Sequence, residues 1–182
     1  MNPARARRAS ADSIAERIRN PMASALLVGK SAIAAERGVS LRLSDRSQLP
    51  GRLIEARDIV TVLNLIDNAL DAVGAHATQP AVEVEVFVEA DTFVARVSDN
   101  GPGVPVALRE TIFDEGWSTK ESPHHRGRGL GLAMVRSLAE RYGGTARIAA
   151  RAGDGAVFTV AFPDIVRRSA ARTRPTLAGE TL

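Results

Sequence analysis

Two glycine clusters constrain this chain more than any other feature. Asp99-Asn100-Gly101-Pro102-Gly103 follows an alternating apolar stretch, and Gly127-Arg128-Gly129-Leu130-Gly131 runs straight into an apolar-periodic one. Glycine lacks a Cβ and tolerates positive φ, so each cluster permits tight turns and close approach of backbone to a ligand. Glycines that open a helix present free N–H groups and the positive end of the helix dipole, which suits a phosphate. The first cluster instead sets a carboxylate, Asp99, between a strand end and tight turns. Either cluster alone is explained as an ordinary turn. Together, across a polar loop and with an asparagine pair upstream, they point to a phosphate-holding cleft.

The rest of the composition narrows the chemistry. No cysteine is present, which removes disulfides, thiol catalysis and cysteine-bound zinc. The only histidines are His76, His124 and His125, and none is spaced for a helical metal pair. Aromatic residues are 4%, so the core must be built from Val, Leu, Ile and Ala. No apolar run reaches the roughly 20 residues that span a bilayer, and no secretory signal is present. The net charge of +3 sits at the ends: Arg5, Arg7 and Arg8 open the chain, and Arg167, Arg168, Arg172 and Arg174 with Glu180 close it. The intervening segment is acidic, which argues against nucleic acid as a partner.

Read in order, residues 1–11 form a flexible lead. A helical stretch covers Asp12 to Arg19. Asn20-Pro21 supplies an N-cap and a first-turn proline for a helix ending near Gly38. Val39 to Leu43 alternates as a strand, and Ser44 to Gly51 is a loop. Glu55 to Val73 reads as one helix, with Ile59, Leu63, Ile66, Leu70 and Val73 on its apolar stripe and Asn64, Asn68 and Asp71 on another face. Asparagine is a mediocre helix former. Two on one mid-helix face mean either a solvated face or a polar cleft with an amide oxygen for a hard cation. Strands follow at Val82–Val88 and Phe93–Val97, joined by a short turn at Ala90-Asp91-Thr92. A short helix is expected at Val106–Ile112, a polar loop at Ser118–Arg128, a helix at Leu130–Tyr142, and a hairpin over Thr145–Arg151 and Val157–Phe162, with Pro163 ending the fold. Residues 166–182 form a basic, disordered tail. The whole reads as an α/β two-layer sandwich: a mixed, mostly antiparallel five-stranded sheet covered on one face by about three helices.

This order of elements and motifs resembles the ATP-binding fold shared by gyrase, heat-shock chaperones, sensor histidine kinases and mismatch-repair ATPases. Asn64-Leu65-Ile66-Asp67-Asn68-Ala69 resembles the asparagine box of sensor histidine kinases, and Asp99 to Gly103 their first glycine box. Ile112-Phe113 stands where the phenylalanine box belongs, and Gly127 to Leu132 matches the second glycine box. The likeness covers about residues 20–163. Ile112 to Lys120, Asn68 to Ala72 and Ala34 to Val39 further resemble citrate and C4-dicarboxylate sensor kinases.

The resemblance implies roles. ATP and Mg²⁺ would be the ligands, and Asn64, Asn68 and Lys120 the catalytic set. Asp99 would accept a hydrogen bond from the adenine amino group, with Gly101 and Gly103 letting backbone pass the base. Asn68 would give its amide oxygen to the metal, and Asn64 and Asp71 would line the same pocket. Gly127, Gly129 and Gly131, with Leu130 and Leu132, would form a hinged lid over the phosphates, within a lid region of about residues 104–130. Phe113 and Thr119 would join the nucleotide-contacting set. Lys120 and Arg128 would add charge, with solvated lid residues as the alternative. Thr159 would support adenine through a water, or is a plain strand threonine.

A histidine kinase also needs a phosphoacceptor histidine on a dimerisation helix. No histidine precedes His76, so the resemblance covers only the catalytic domain, residues 12–165. The implied activity is transfer of the ATP γ-phosphoryl to a histidine on a separate phosphoacceptor domain, and from there to a response regulator. That places the chain in the cytoplasm, monomeric in isolation, without nucleic-acid or membrane contact of its own. The alternatives are a hydrolytic ATPase, a free-standing serine kinase of the anti-sigma-factor type, and a nucleotide-binding module without kinase activity. The hydrolytic type carries a glutamate where Asn64 stands, and asparagine cannot take a proton from water.

Overall fold

The computed structural model describes residues 13–51, 54–74, 77–117, 130–166 and 168. After a helical turn at residues 13–17 come α1 (Pro21–Glu36), β1 (Ser40–Leu43), α2 (Ala56–Leu63) and α3 (Leu65–Val73). These are followed by β2 (Ala81–Glu89), β3 (Thr92–Asp99), two 3₁₀ turns (Val106–Leu108 and Thr111–Phe113), α4 (Leu130–Arg141), β4 (Thr145–Ala150) and β5 (Ala156–Phe162). The sheet order is β1-β2-β3-β5-β4. β1 pairs parallel with β2, and every other pairing is antiparallel. The expected mixed, mostly antiparallel two-layer sandwich is what forms. α1 lies over β1, α3 over β2 and β3, and α4 over β4 and β5, while α2 makes its main contacts with α1 and α4. None of the described helices is long and apolar enough to cross a membrane.

Local chemistry explains the helix ends. The Asn20 side chain accepts from the Ala23 N–H at 3.0 Å and Pro21 fills the first turn. Gly38, at φ +69°, closes α1 with bonds from its own N–H to Ala35 and from Val39 to Ala34, the paired arrangement that a left-handed residue permits. Gly143, at φ +70°, ends α4 in the same way, and Gly144 donates to Ala139 at 2.8 Å. The inward residues of the strands, Val82, Val84, Val86, Phe93, Ala95, Val97, Phe158, Val160 and Phe162, are buried beneath the helices. Phe162 stacks between Phe93 and Tyr142, with centroids at 5.4 and 4.6 Å.

Four local expectations change. The single helix over 55–73 is two, because the chain tightens at Asn64. Its ψ of −15° departs from the α value, and its carbonyl accepts from Asp67 at 3.1 Å, an i+3 bond. The apolar stripe survives the break, since Ile59, Leu63, Ile66, Leu70 and Val73 are all buried. The segment after Leu43 is no free loop. Ser44 and Gln48 N–H groups donate to Val84 and Val86 carbonyls, and the buried Ser47 hydroxyl accepts from Val86, so a bulge carries the edge pairing onward. The Val106–Ile112 helix is two 3₁₀ turns. It is too short to offset nucleation, and Val106 is 75% exposed with nothing to bury it. The fold also continues past Pro163. Ile165 is fully buried, its N–H donates to the Asp91 carbonyl, and the Asp91 carboxylate accepts from Val166. That anchorage helps hold Ala90 and Asp91 at φ +47° and +65°, the turn geometry that a two-residue hairpin requires.

Candidate functional site

Asp99 ends β3 with the parity of Phe93, Ala95 and Val97, so its side chain belongs to the helix-covered face and is 1% exposed. One carboxylate oxygen accepts the Gly101 N–H at 2.9 Å. Burial pushes the carboxyl above its usual range. The backbone N–H groups of Gly101 and Ala156 and the charge of Arg151 pull the other way without cancelling it. The site therefore spends a desolvation cost to keep an acceptor in a fixed, dry position.

Three glycines shape the surroundings. A Cβ at Gly101 would stand 3.0 Å from Asp99 Oδ1 and 3.1 Å from the Ala72 carbonyl group. Gly101 therefore lets the backbone pass through a narrow slot between the carboxylate and the last turn of α3, where a side chain would crowd both. A Cβ on Gly103, at φ +71°, would lie 3.0 Å from the Gly155 carbonyl oxygen. Gly155, at φ +118°, presses on the end of β3, where a Cβ would lie 1.9 Å from the Asp99 carbonyl oxygen. The Asn100 side chain completes the corner by accepting from Ala81 N–H and donating to the Gln79 carbonyl, both at 2.8 Å. Replacing Asn100 with alanine leaves both strand-edge groups without those partners. The expected cost is about 1–2 kcal/mol in chemical denaturation.

α3 leads from this slot along the rest of the cleft. Asn68 precedes Ala72 by one turn, about 6 Å along the axis, and is half-buried; Asn64 is exposed. Among the described residues neither amide side chain has a hydrogen-bond partner. Asp71 lies on the rim and pairs with Arg37 of α1 at 2.8 Å, so its carboxylate is directed to α1. At the far side, a Cβ on Gly131 would meet nothing within 4 Å, which leaves free space over the first turn of α4. Leu130 is 37% exposed there, and Leu132 packs against the core. No cluster of three or more acidic, histidine or cysteine side chains exists among the described residues. A magnesium ion here would rest on a single side-chain oxygen plus ligand oxygens, a familiar arrangement for that ion. The partner-free amide of Asn68 fits it.

One expected contact is corrected. Thr159 pairs across the sheet with Arg96 and Arg147, on the face away from the helices, so it is no part of the pocket that holds Asp99. Ala156 reaches Asp99 instead, through its backbone N–H. Phe113 is a buried anchor. It meets Phe158 edge-on at 6.5 Å and lies under the Arg136 guanidinium at 5.3 Å, which tethers the segment. Thr119, Lys120, Gly127, Arg128 and Gly129, together with His76, His124 and His125, lie outside the described residues, as do residues 1–11 and 169–182. Ala72, Arg151 and Gly155 were missed by sequence reading. Only Gly155 left a trace, as a glycine in a hairpin loop, and its closeness to Asp99 depends on β3–β5 pairing.

Beside the cleft runs a groove of about 750 Å³ between α2, the Phe113–Glu115 segment and α4. Thr61, Phe113, Leu130, Met134 and Leu138 give it an apolar wall. Arg136 braces it, donating to Glu110 at 2.9 Å.

Comparison with known proteins agrees with this geometry. The family described as histidine kinase-, DNA gyrase B-, and HSP90-like ATPase matches residues 57–165. The sensor protein CitS of Halalkalibacterium halodurans is 38% identical over 152 residues, covering 81% of this chain and 28% of that protein. The sensor histidine kinase DcuS of Escherichia coli K12 is 34% identical over 156 residues, covering 83% and 27%. The chain thus spans just over a quarter of the length of these relatives. Full-length ShkA in complex with AMPPNP superposes with a TM-score of 0.64 at 27% identity, over 78% of this chain and 29% of that one. The catalytic domain of the histidine kinase ThkA superposes with a TM-score of 0.64 at 22% identity, over 81% and 95%.

Proposed function

The chain belongs to the histidine kinase-, DNA gyrase B- and HSP90-like ATPase family, and we propose that it is the ATP-binding catalytic domain of a citrate-type sensor histidine kinase. Its task is to deliver the γ-phosphoryl of Mg-ATP to a histidine on a separate phosphoacceptor domain, from which a response regulator receives it. The observation that carries this reading is the buried Asp99 carboxylate at the end of β3, approached closely by backbone that only glycine allows. A carboxylate only accepts, so it selects a base edge that donates. Adenine offers its amino group, whereas guanine would set a carbonyl oxygen against it.

The chain's residues divide the work along the cleft. Asp99 orients the base and Gly101 admits it. Asn68 holds the metal through its amide oxygen, with Asn64 one turn away, and a bound magnesium ion would neutralise phosphate charge. Gly127, Gly129 and Gly131 present N–H groups to the phosphates, and Lys120, Thr119 and Arg128 add donors. Phosphoryl transfer asks mainly for positioning and charge stabilisation. None of the described residues is a histidine, and the groove beside α4 is where a phosphoacceptor helix would dock. It shares Leu130 with the glycine-rich turn, so a helix seated there lies next to the phosphates. The ATP-binding unit is residues 12–165, with a lid at about 104–130. Ile14, Ile18 and Leu49 are in the core, so the unit reaches well upstream of the family match. The cytoplasm, where ATP is held, is its proposed location.

The test is γ-labelled Mg-ATP with this chain and a phosphoacceptor fragment of a related citrate-type kinase. Acid-labile label is expected on the fragment and none on the chain alone. Met134→Glu, which places a charge in the groove, is expected to cut transfer about tenfold or more with ATP affinity unchanged. Label on the isolated chain that is lost in His124→Ala or His125→Ala would overturn the need for a separate acceptor. ATP binding without transfer to any fragment would reduce the chain to a nucleotide-binding module.

A further inference from the structure

We propose that Lys30 is a positioning residue for Asn68, acting through Asp67; this rests on Asn68 being the metal ligand. Lys30 comes from the middle of α1 and its side chain is only 14% exposed. Its ammonium bonds both Asp67 oxygens, at 2.6 and 2.5 Å. Asp67 is in the first turn of α3 and immediately precedes Asn68.

The break at Asn64 gives this pair its importance. In an unbroken helix, the backbone ladder from α2 would fix the rotation of Asn68. Here the ladder tightens at Asn64, whose carbonyl accepts from Asp67 at 3.1 Å and from Asn68 only at 3.5 Å, so the backbone alone holds Asn68 loosely and α3 gains from a further reference. α1 supplies it twice. Lys30 holds Asp67, and Arg37 holds Asp71 one turn further on. Two attachments on one stripe resist both sliding and rotation of α3. Side chains reach about 5–6 Å from a helix axis, so a 20° turn moves their tips by about 2 Å. Magnesium binds at about 2.0–2.1 Å in a strict octahedron. A shift of that size takes the Asn68 oxygen out of coordination, while the Asp99 carboxylate, set on β3 and bonded by the Gly101 and Ala156 N–H groups, stays in place.

The experiment uses the full chain, ¹⁵N-labelled, with ATP binding measured with and without magnesium. In Lys30→Met the ratio of metal-free to magnesium-loaded Kd is expected to fall about tenfold, with metal-free affinity within twofold of the parent. Without nucleotide, the Asn68 side-chain amide signals are expected to shift while the backbone signal of Ala156, on β5, does not. Lys30→Arg is expected to keep the parent ratio. The exchange of Lys30→Asp with Asp67→Lys is expected to recover most of it. An unchanged ratio with unmoved Asn68 signals overturns the proposal. So does a parallel loss of metal-free affinity and of the Ala156 signal, which would mean a general loosening of the fold. If the parent chain shows no magnesium dependence, the metal reading fails. The Asn68 signals in the free protein then still decide whether Lys30 positions that side chain.

Discussion

Asp99→Asn is expected to lower ATP affinity by roughly 10- to 150-fold, equivalent to about 1.5–3 kcal/mol for a charge-assisted hydrogen bond. The free protein is not expected to lose stability. The asparagine oxygen can still accept the Gly101 and Ala156 N–H groups that the carboxylate now uses. Its NH₂ then meets the adenine amino group donor to donor. The native carboxyl is held above the ordinary 3.8 chiefly by burial. Between the unfolded and folded values the native state binds more protons than the unfolded chain. The stability contributed by this residue is therefore greatest below about pH 3.8 and is lost as pH rises through the folded value. ATP binding runs the opposite way, because the ionised form is the stronger acceptor and carries no O–H to oppose the adenine amino group. Calorimetric titrations with ATP across mildly acidic pH should show affinity falling on acidification in the parent and flat in Asp99→Asn. Unchanged ATP affinity in the variant would remove Asp99 from the site.

Gly155→Ala is expected to be the most destabilising single methyl in the β4–β5 hairpin, at about 3–5 kcal/mol. Two effects coincide. The residue sits at φ +118°, where L side chains are strained, and its Cβ would lie 1.9 Å from the Asp99 carbonyl oxygen and 2.9 Å from Asn100 Cα. Both obstacles are backbone, so no side-chain rotation relieves them. Gly153 in the same loop is the control. It has φ +89° but nothing within 4 Å of an added Cβ, so its alanine variant should show only the conformational part, about 1 kcal/mol. Thermal unfolding of the two variants should differ by roughly 10 °C. Because Gly155 presses on the end of β3, any Gly155→Ala protein that folds should also bind ATP more weakly. Equal melting temperatures for the two variants would show that the corner is looser than it stands here.

Much of the site was legible before the fold was known, because its chemistry sits in local patterns. Asp99 stood out as a carboxylate at the end of an alternating strand with glycines after it. Asn64 and Asn68 stood out as polar residues where a helix interior disfavours them. Thr159 was misplaced because its parity needed a reference strand. The register Val97↔Phe158 puts Phe158, not Thr159, on the face that Asp99 shares. The break at Asn64 was invisible because an apolar period of 3.6 continues through one tightened turn.

What the sequence determined by itself was the caps at Asn20, Gly38 and Gly143, the glycine turns around Asp99, and the candidate groups able to carry chemistry. These depend on backbone preference over a few neighbouring residues. What only the tertiary structure decided was the company those groups keep: Gly155 and Ala72 walling the Asp99 slot, and Lys30 reaching Asp67 from 37 positions away. Such contacts follow from strand register and helix packing, and these are settled by burying the whole core at once rather than by any one segment.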